Sequence, residues 1–164
     1  MRAAPTLALL LAACGTSPRQ PEADSPGRRL EAAAVDAGLV SDPARVSLIG
    51  SWARDTDRVC VVPGGNGALR IGVLIDYGAA QGCAASGTAR RSGAKVAIDF
   101  GACRFDARID GDRLVFPADL PGACDAVCTG RASLAALAVD HLSGSTAEAE
   151  TLRAPRGQPL CPTR

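Results

Sequence analysis

The chain has 164 residues, a formal net charge of +1 and an apolar fraction of 47%, with aromatic residues making up only 3%. That length suits one domain, and so balanced a charge gives no footprint for nucleic acid or another polyanion as partner. Side chains this small fill a core thinly, so the seven cysteines are expected to supply further support.

The chain opens with Met1-Arg2, a minimal positive start, followed by an apolar run over residues 6–13 that closes on Cys14. The run is far below the roughly 18–20 residues that span a bilayer, so a transmembrane helix is not expected. Leu11-Ala12-Ala13-Cys14 resembles the lipobox of bacterial lipoproteins, with Leu11 at −3, Ala12 at −2, Ala13 at −1 and Cys14 at +1. The resemblance implies a signal peptide over residues 1–13, a diacylglycerol on the Cys14 thiol, and acylation (a palmitate-type modification) of the new amino terminus. Several acyl chains, at about 0.8 kcal/mol per buried CH₂, make a stable anchor. Gly15 stands where an Asp would retain a lipoprotein in the inner membrane, so the resemblance points to the outer membrane of the envelope, facing the periplasm.

With Cys14 set aside, Cys60, Cys83, Cys103, Cys124, Cys128 and Cys161 remain. An even set in an exported chain reads as a disulfide framework, and each bridge typically contributes about 2–4 kcal/mol. There is no Cys-x-x-Cys and one histidine, so neither a metal site nor a cofactor is expected. Six cysteines allow fifteen connectivities.

Residues 14–45 read as a lipid-anchored tether. Its first part, 15–29, is rich in Pro, Gly, Ser and charge and lacks the apolar content to order itself. Residues 30–38 have the composition of a short helix with a Gly stop, and Asp42-Pro43 breaks the chain before the domain. Over residues 46–143 the period changes to two, which predicts a mainly β domain: an antiparallel meander forming a small barrel or curved sandwich, with one or two short helices near the C-terminus. Strands are expected over 46–54, 59–62 and 68–77, the third with Ile71, Val73, Ile75 and Tyr77 on one face. Turn chemistry separates them at Pro63-Gly64-Gly65-Asn66-Gly67 and at 78–82.

The next strands can be registered. A two-residue loop at Ser92-Gly93 pairs Arg91 with Ala94, Ala89 with Val96 and Gly87 with Ile98, setting small residues against large ones. The inward parity switches after Phe100, which a β-bulge at Gly101-Ala102 explains. That shift brings Cys103 opposite Cys83 and makes Cys83–Cys103 the preferred bridge. Asp110-Gly111 is a hairpin signal that sets Ala107 against Leu114 and Phe105 against Phe116. Arg104, Asp106, Arg108 and Asp110 alternate in sign on the outer face. Residues 122–128 read as a helical turn carrying Cys124 and Cys128, residues 131–139 as a short helix, and 140–143 as an edge strand. Residues 144–164 read as an irregular tail pinned back by Cys161.

Little chemistry is evident. His141 has no sequence-evident nucleophile beside it, there is no Gly-x-Ser-x-Gly elbow, and the glycine-rich stretch 63–67 lacks the Lys-Ser/Thr of a P-loop. Asp99, Asp106, Asp110, Asp112 and Asp119 read as solvated and turn positions. Arg90, Arg91 and Lys95 form a small basic cluster at one hairpin. Gly50-Ser51-Trp52 is similar to the Gly-x-Trp that opens the first strand of lipocalin-like barrels, where the Trp closes the barrel floor; read from the residues alone, Trp52 is a core residue. A domain of this size is more similar to the small eight-stranded barrels of envelope lipoproteins, lysozyme inhibitors among them, although the Ser/Lys inhibitory loops of those inhibitors are not evident. The expectation is a non-enzymatic envelope lipoprotein that binds or inhibits a protein or glycan partner and meets the membrane through its lipid anchor. The alternatives are a small-ligand carrier, which needs a barrel cavity, and a hydrolase, which needs His141 to converge with a Ser or Asp.

Overall fold

The computed structural model describes residues 25–39, 42 and 45–162; Cys14 and the rest of the lipobox lie outside them. A helix, α1 (Pro26–Asp36), comes first. Ser25 caps it by accepting from the Arg28 N–H, and Pro26 stands in the first turn, where its missing N–H costs no helical bond. No residue of α1 is buried. Its start at Pro26 places the helix four residues before the expected boundary, inside the stretch read as tether.

Nine strands follow: β1 (Gly50–Arg54), β2 (Asp57–Pro63), β3 (Leu69–Asp76), β4 (Gly82–Ser92), β5 (Lys95–Phe100), β6 (Cys103–Asp110), β7 (Arg113–Val115), β8 (Cys128–Thr129) and β9 (Ala138–Ser143). Strands β1 to β7 form a meander, and β9 returns between β7 and β1. The β3–β4 pairing completes the circle, giving a closed antiparallel barrel of eight strands with β8 added along β4. Closure leaves β9 with neighbours on both sides, so the expected edge strand is a central one.

Alternate residues fill the interior. Val59 and Val61, Ile71 and Val73, Val96 and Ile98 are each no more than 2% exposed. The small residues of β4 sit against large neighbours: Ala89 pairs with Ile98, and a Cβ on Gly87 would lie 2.9 Å from the Phe100 ring. The opposite face of β2 is buried too. Cys60 and Val62 point outward and are covered by Ala149, Leu160 and Cys161 from the tail. The tail holds a short helix, α2 (Thr146–Ala149), and Gly72 lets it come close, because a Cβ there would meet Leu160 Cβ at 2.6 Å. Burying a leucine such as Leu160 contributes about 1.5–3 kcal/mol.

Three disulfides are formed: Cys60–Cys161, Cys83–Cys128 and Cys103–Cys124. The pairing Cys83–Cys103 is therefore incorrect, and its cause is the turns. Arg91 pairs with Val96 and Ser92 with Lys95, leaving Gly93-Ala94 as the loop. Phe100 pairs with Cys103 across Gly101-Ala102, a plain hairpin in place of a bulge. Asp110 pairs with Arg113, Ile109 with Leu114 and Arg108 with Val115 across Gly111-Asp112. In each loop the glycine comes first, at φ 62°, 84° and 63°, while the second residue keeps a negative φ; that is the pattern of II′ turns, with Gly at the first loop position, where the expected loops at Ser92-Gly93 and Asp110-Gly111 had it second.

Three further expectations change. Residues 46–49 precede β1 without strand structure. Tyr77 leaves the core face of β3 and is 58% exposed. Residues 131–137 form no helix; Ala136 at φ 57° interrupts the chain, yet Leu134 and Leu137 are still buried in the core.

The two ends of the barrel are both covered. At the end carrying the β2–β3, β4–β5 and β6–β7 turns, residues 46–49 lie across the opening. Leu48 is buried, its carbonyl accepts from Trp52 Nε1 at 3.0 Å, and the Val46 carbonyl accepts from Arg91. At the other end, residues 116–137 form a plug with Phe116, Cys124, Leu134 and Leu137 in the core. Its ends are tied by Phe116 N–H to Leu137 O at 2.8 Å and Ala136 N–H to Pro117 O at 2.9 Å. The cysteine-bearing turn at Gly122–Val127 is a 3-10 helix.

Candidate binding groove

A groove of about 680 Å³ opens on the outside of the barrel, beside the plugged end. One wall is the β3–β4 loop, a second is the Val127–Thr129 stretch around β8, and a third is the turn at residues 154–158 of the tail. Its floor is apolar, with Ile75, Ala84, Val127 and Ala154 among the lining residues. A few convergent polar groups over an apolar floor are the usual make-up of a recognition site.

The β3–β4 loop is unusual. Gly78, Ala79 and Ala80 stand consecutively at φ 73°, 48° and 61°. For each alanine this left-handed backbone costs on the order of 1–2 kcal/mol. The loop is held in place by its neighbours: Gly78 N–H donates to Asp76 Oδ1 at 2.9 Å, Tyr77 N–H to Gln81 O at 2.9 Å and Gln81 N–H to Gly78 O at 2.8 Å. The β8 wall is fastened to it, with Thr129 Oγ1 donating to Ala80 O at 2.8 Å and Arg131 N–H to Gln81 Oε1 at 3.3 Å. Strain that the surroundings hold in place tends to mark working segments of a surface. The tail wall is a tight turn, with Ala154 N–H on Gln158 O and Gly157 N–H on Ala154 O, both at 2.8 Å. It presents Arg156, which is exposed and has no salt bridge among the described residues.

The other sequence candidates lie elsewhere. Cys60, Cys83, Cys103, Cys124, Cys128 and Cys161 are all in bridges, and of these Cys83 lines the groove. The His141 ring packs on Trp52 with centroids 4.5 Å apart, and its Nε2 lies 3.3 Å from the Ile49 carbonyl. Both contacts belong to the end of the barrel covered by residues 46–49. Lys95 pairs with Asp106 at 2.8 Å and Arg91 reaches Val46 O, so the basic cluster of that hairpin is largely spent on internal contacts. The alternating face of β6 forms ion pairs, including Arg104–Asp99 at 2.8 Å and Arg108–Asp110 at 2.6 Å. The Gly101 N–H holds the Asp99 carboxyl below its ordinary range, with Arg104 adding to the effect.

Two further carboxylates were not singled out from the sequence. Asp140 is clamped by Arg113 and Arg54, with Nε of Arg113 at 2.9 Å and Nη2 of Arg54 at 3.1 Å. The hydrogen bond from Arg113 is the main cause holding it below the ordinary carboxylate range. Asp57 behaves oppositely. Burial pushes its carboxyl up, the charge of Asp55 adds to this and Arg58 opposes it, and its Oδ1 is buried without a hydrogen-bond partner. Among the described residues no three His, Cys, Asp or Glu side chains group so as to hold a metal ion, and no helix is long and apolar enough to cross a membrane.

Nothing in the sequence announced the groove. The loop at 78–82 reads simply as a turn, because Gly-Ala-Ala carries no signal for a left-handed run. The third wall comes from a tail read as irregular. Comparison with protein-family models, curated proteins and solved structures gave no match.

Proposed function

We propose that the protein is an envelope lipoprotein, anchored through Cys14, whose barrel is a non-enzymatic binding module that takes a protein or glycan partner in the outer groove. The observation that carries this reading is the contrast between the interior and the outside. The barrel interior is packed with side chains and both ends are covered, which leaves little room for the carrier alternative. The groove offers about 680 Å³ of open, apolar-floored space between walls fixed by disulfides and hydrogen bonds, and pre-formed walls lower the ordering cost of association.

The test is photo-crosslinking in intact cells from the full-length chain, with the reactive amino acid at Ala79 on the groove rim or at Asp106 on the far ion-paired face. A discrete adduct is expected from position 79 only, and it should disappear with Cys14→Ala. The same adducts from both positions, or none from position 79, would count against the groove.

A further inference from the structure

The three disulfides differ in what covers them. Cys60 and Cys161 are 1% and 0% exposed, and Cys103 and Cys124 are 1% and 3% exposed. Cys83 is nearly as buried, at 2%, but its partner Cys128 is only half-buried. Cys83 also lines the outer groove, so one bridge alone combines a half-open cysteine with a groove from which another molecule can approach.

That bridge also carries little of the barrel. Cys83 and Cys128 face each other across adjacent antiparallel strands, and the β4–β8 ladder is just Gly82↔Thr129 and Cys83↔Cys128. On its other side β4 keeps eight paired residues with β3, and its far half stays paired with β5. Cys103–Cys124 independently staples the 3-10 turn to β6. Opening Cys83–Cys128 therefore leaves β8 and the groove wall it forms held only by that short ladder and the hydrogen bonds of Thr129 and Arg131, while the closed barrel and the core of its plug stay in place.

We propose that Cys83–Cys128 is a thiol–disulfide exchange site, opened selectively by an external dithiol of the thioredoxin type, and that its opening loosens the β8 wall of the groove. In the first step a thiolate of the dithiol attacks Sγ of Cys128. A mixed disulfide forms, the Cys83–Cys128 bond breaks and Cys83 leaves as a thiolate that takes up a proton. The dithiol's second thiolate then attacks the dithiol's first sulfur, now bonded to Cys128; the dithiol's own disulfide forms and the Cys128 thiolate is expelled and protonated in turn. Two electrons pass from the dithiol to the protein bridge, and the dithiol becomes a disulfide. The inference stands on the bridge alone and does not depend on what the groove binds.

The experiment uses the oxidised full-length protein without denaturant. It is exposed to graded dithiothreitol, or to a reduced thioredoxin-type protein, then quenched with N-ethylmaleimide and mapped by peptide mass. Cys83 and Cys128 should be labelled at a reductant concentration at least tenfold below that needed for the other four cysteines, with the β circular dichroism spectrum unchanged at that point. Reduction of another pair first, opening of all three bridges within a twofold range, or collapse of the spectrum when this bridge opens would each overturn the proposal. The Cys83→Ala/Cys128→Ala double variant provides the second measurement. Its remaining bridges should open where they do in the wild type, and an early labelling phase that persists in it would overturn the assignment.

Discussion

The two ends of this barrel are covered by different means. At one end, four residues ahead of β1 suffice, because Trp52 lies beneath them, fully buried, with its indole N–H on Leu48 O and its ring against His141. At the other end no tryptophan is available. There the chain spends residues 116–137 on a plug, and two disulfides, Cys103–Cys124 and Cys83–Cys128, tie that plug to β6 and β4. One end is closed by a short segment laid on a single buried indole; the other, where Phe100, Phe105 and Phe116 pack together, is closed by a longer segment with covalent ties. The chain has a single tryptophan, so an indole can seal one end only.

The largest expected effect is at the Trp52 end. Trp52→Ala should cost about 3–5 kcal/mol, the range for emptying a large aromatic core site, read by denaturant unfolding. Trp52→Phe should restore most of that loss but not the bond to Leu48. A loss under about 1 kcal/mol for the alanine variant, the scale of the lone hydrogen bond, would mean that residues 46–49 close the end unaided. At the plugged end, Cys103→Ala/Cys124→Ala closes off a smaller contribution of about 3 kcal/mol, as expected for a loop of roughly this length. Hydrogen exchange should then show faster exchange at the Phe116 and Ala136 amides while the Trp52 Nε1 proton keeps its protection. Equal loosening at both ends would erase the distinction.

The smallest effect concerns Asp57, at the turn beside the plugged end. Its carboxyl is raised above the ordinary 3.8, so its proton is held more tightly in the folded chain than in the unfolded one. The stability this gives is present below the unfolded value and is lost as pH rises through the folded one. Asp57→Asn should therefore stabilise at pH 7 by no more than about 0.5 kcal/mol and give no gain near pH 3. A gain of equal size at both pH values would show that burial of the charge is not the cause.

Much of the fold was legible because its errors came in steps of two. Moving the β4–β5 loop from Ser92-Gly93 to Gly93-Ala94 changes the partner of Ala89 from Val96 to Ile98, yet both face the core, so every side chain keeps its side. Period-two patterning is blind to such a shift. Disulfide partners are not, since a bridge needs two particular residues within reach. The same blindness explains β9, since residues 131–139 have apolar spacing that suits a helix as well as a buried loop running into a strand. The groove was illegible for another reason. Its walls are a left-handed Gly-Ala-Ala run, a two-residue strand and a tail turn, none with a periodicity of its own, and only the closed barrel brings them together.

The three bridges are nested in the chain. Cys103–Cys124 spans 21 residues, lies within Cys83–Cys128, which spans 45, and both lie within Cys60–Cys161, which spans 101. Loop closure costs slightly more as loops lengthen, so the innermost bridge closes at the lowest entropic cost and the outermost at the highest. Cys60 is the first of the six in the chain, and its partner Cys161 is the last. Between them stand Cys83 and three further cysteines with which Cys60 must not pair. Pairing cysteines in order of emergence would join Cys60 to Cys83 and Cys128 to Cys161 and get only the innermost bridge right. A chain so paired would have to exchange two of its three bridges to reach the native set.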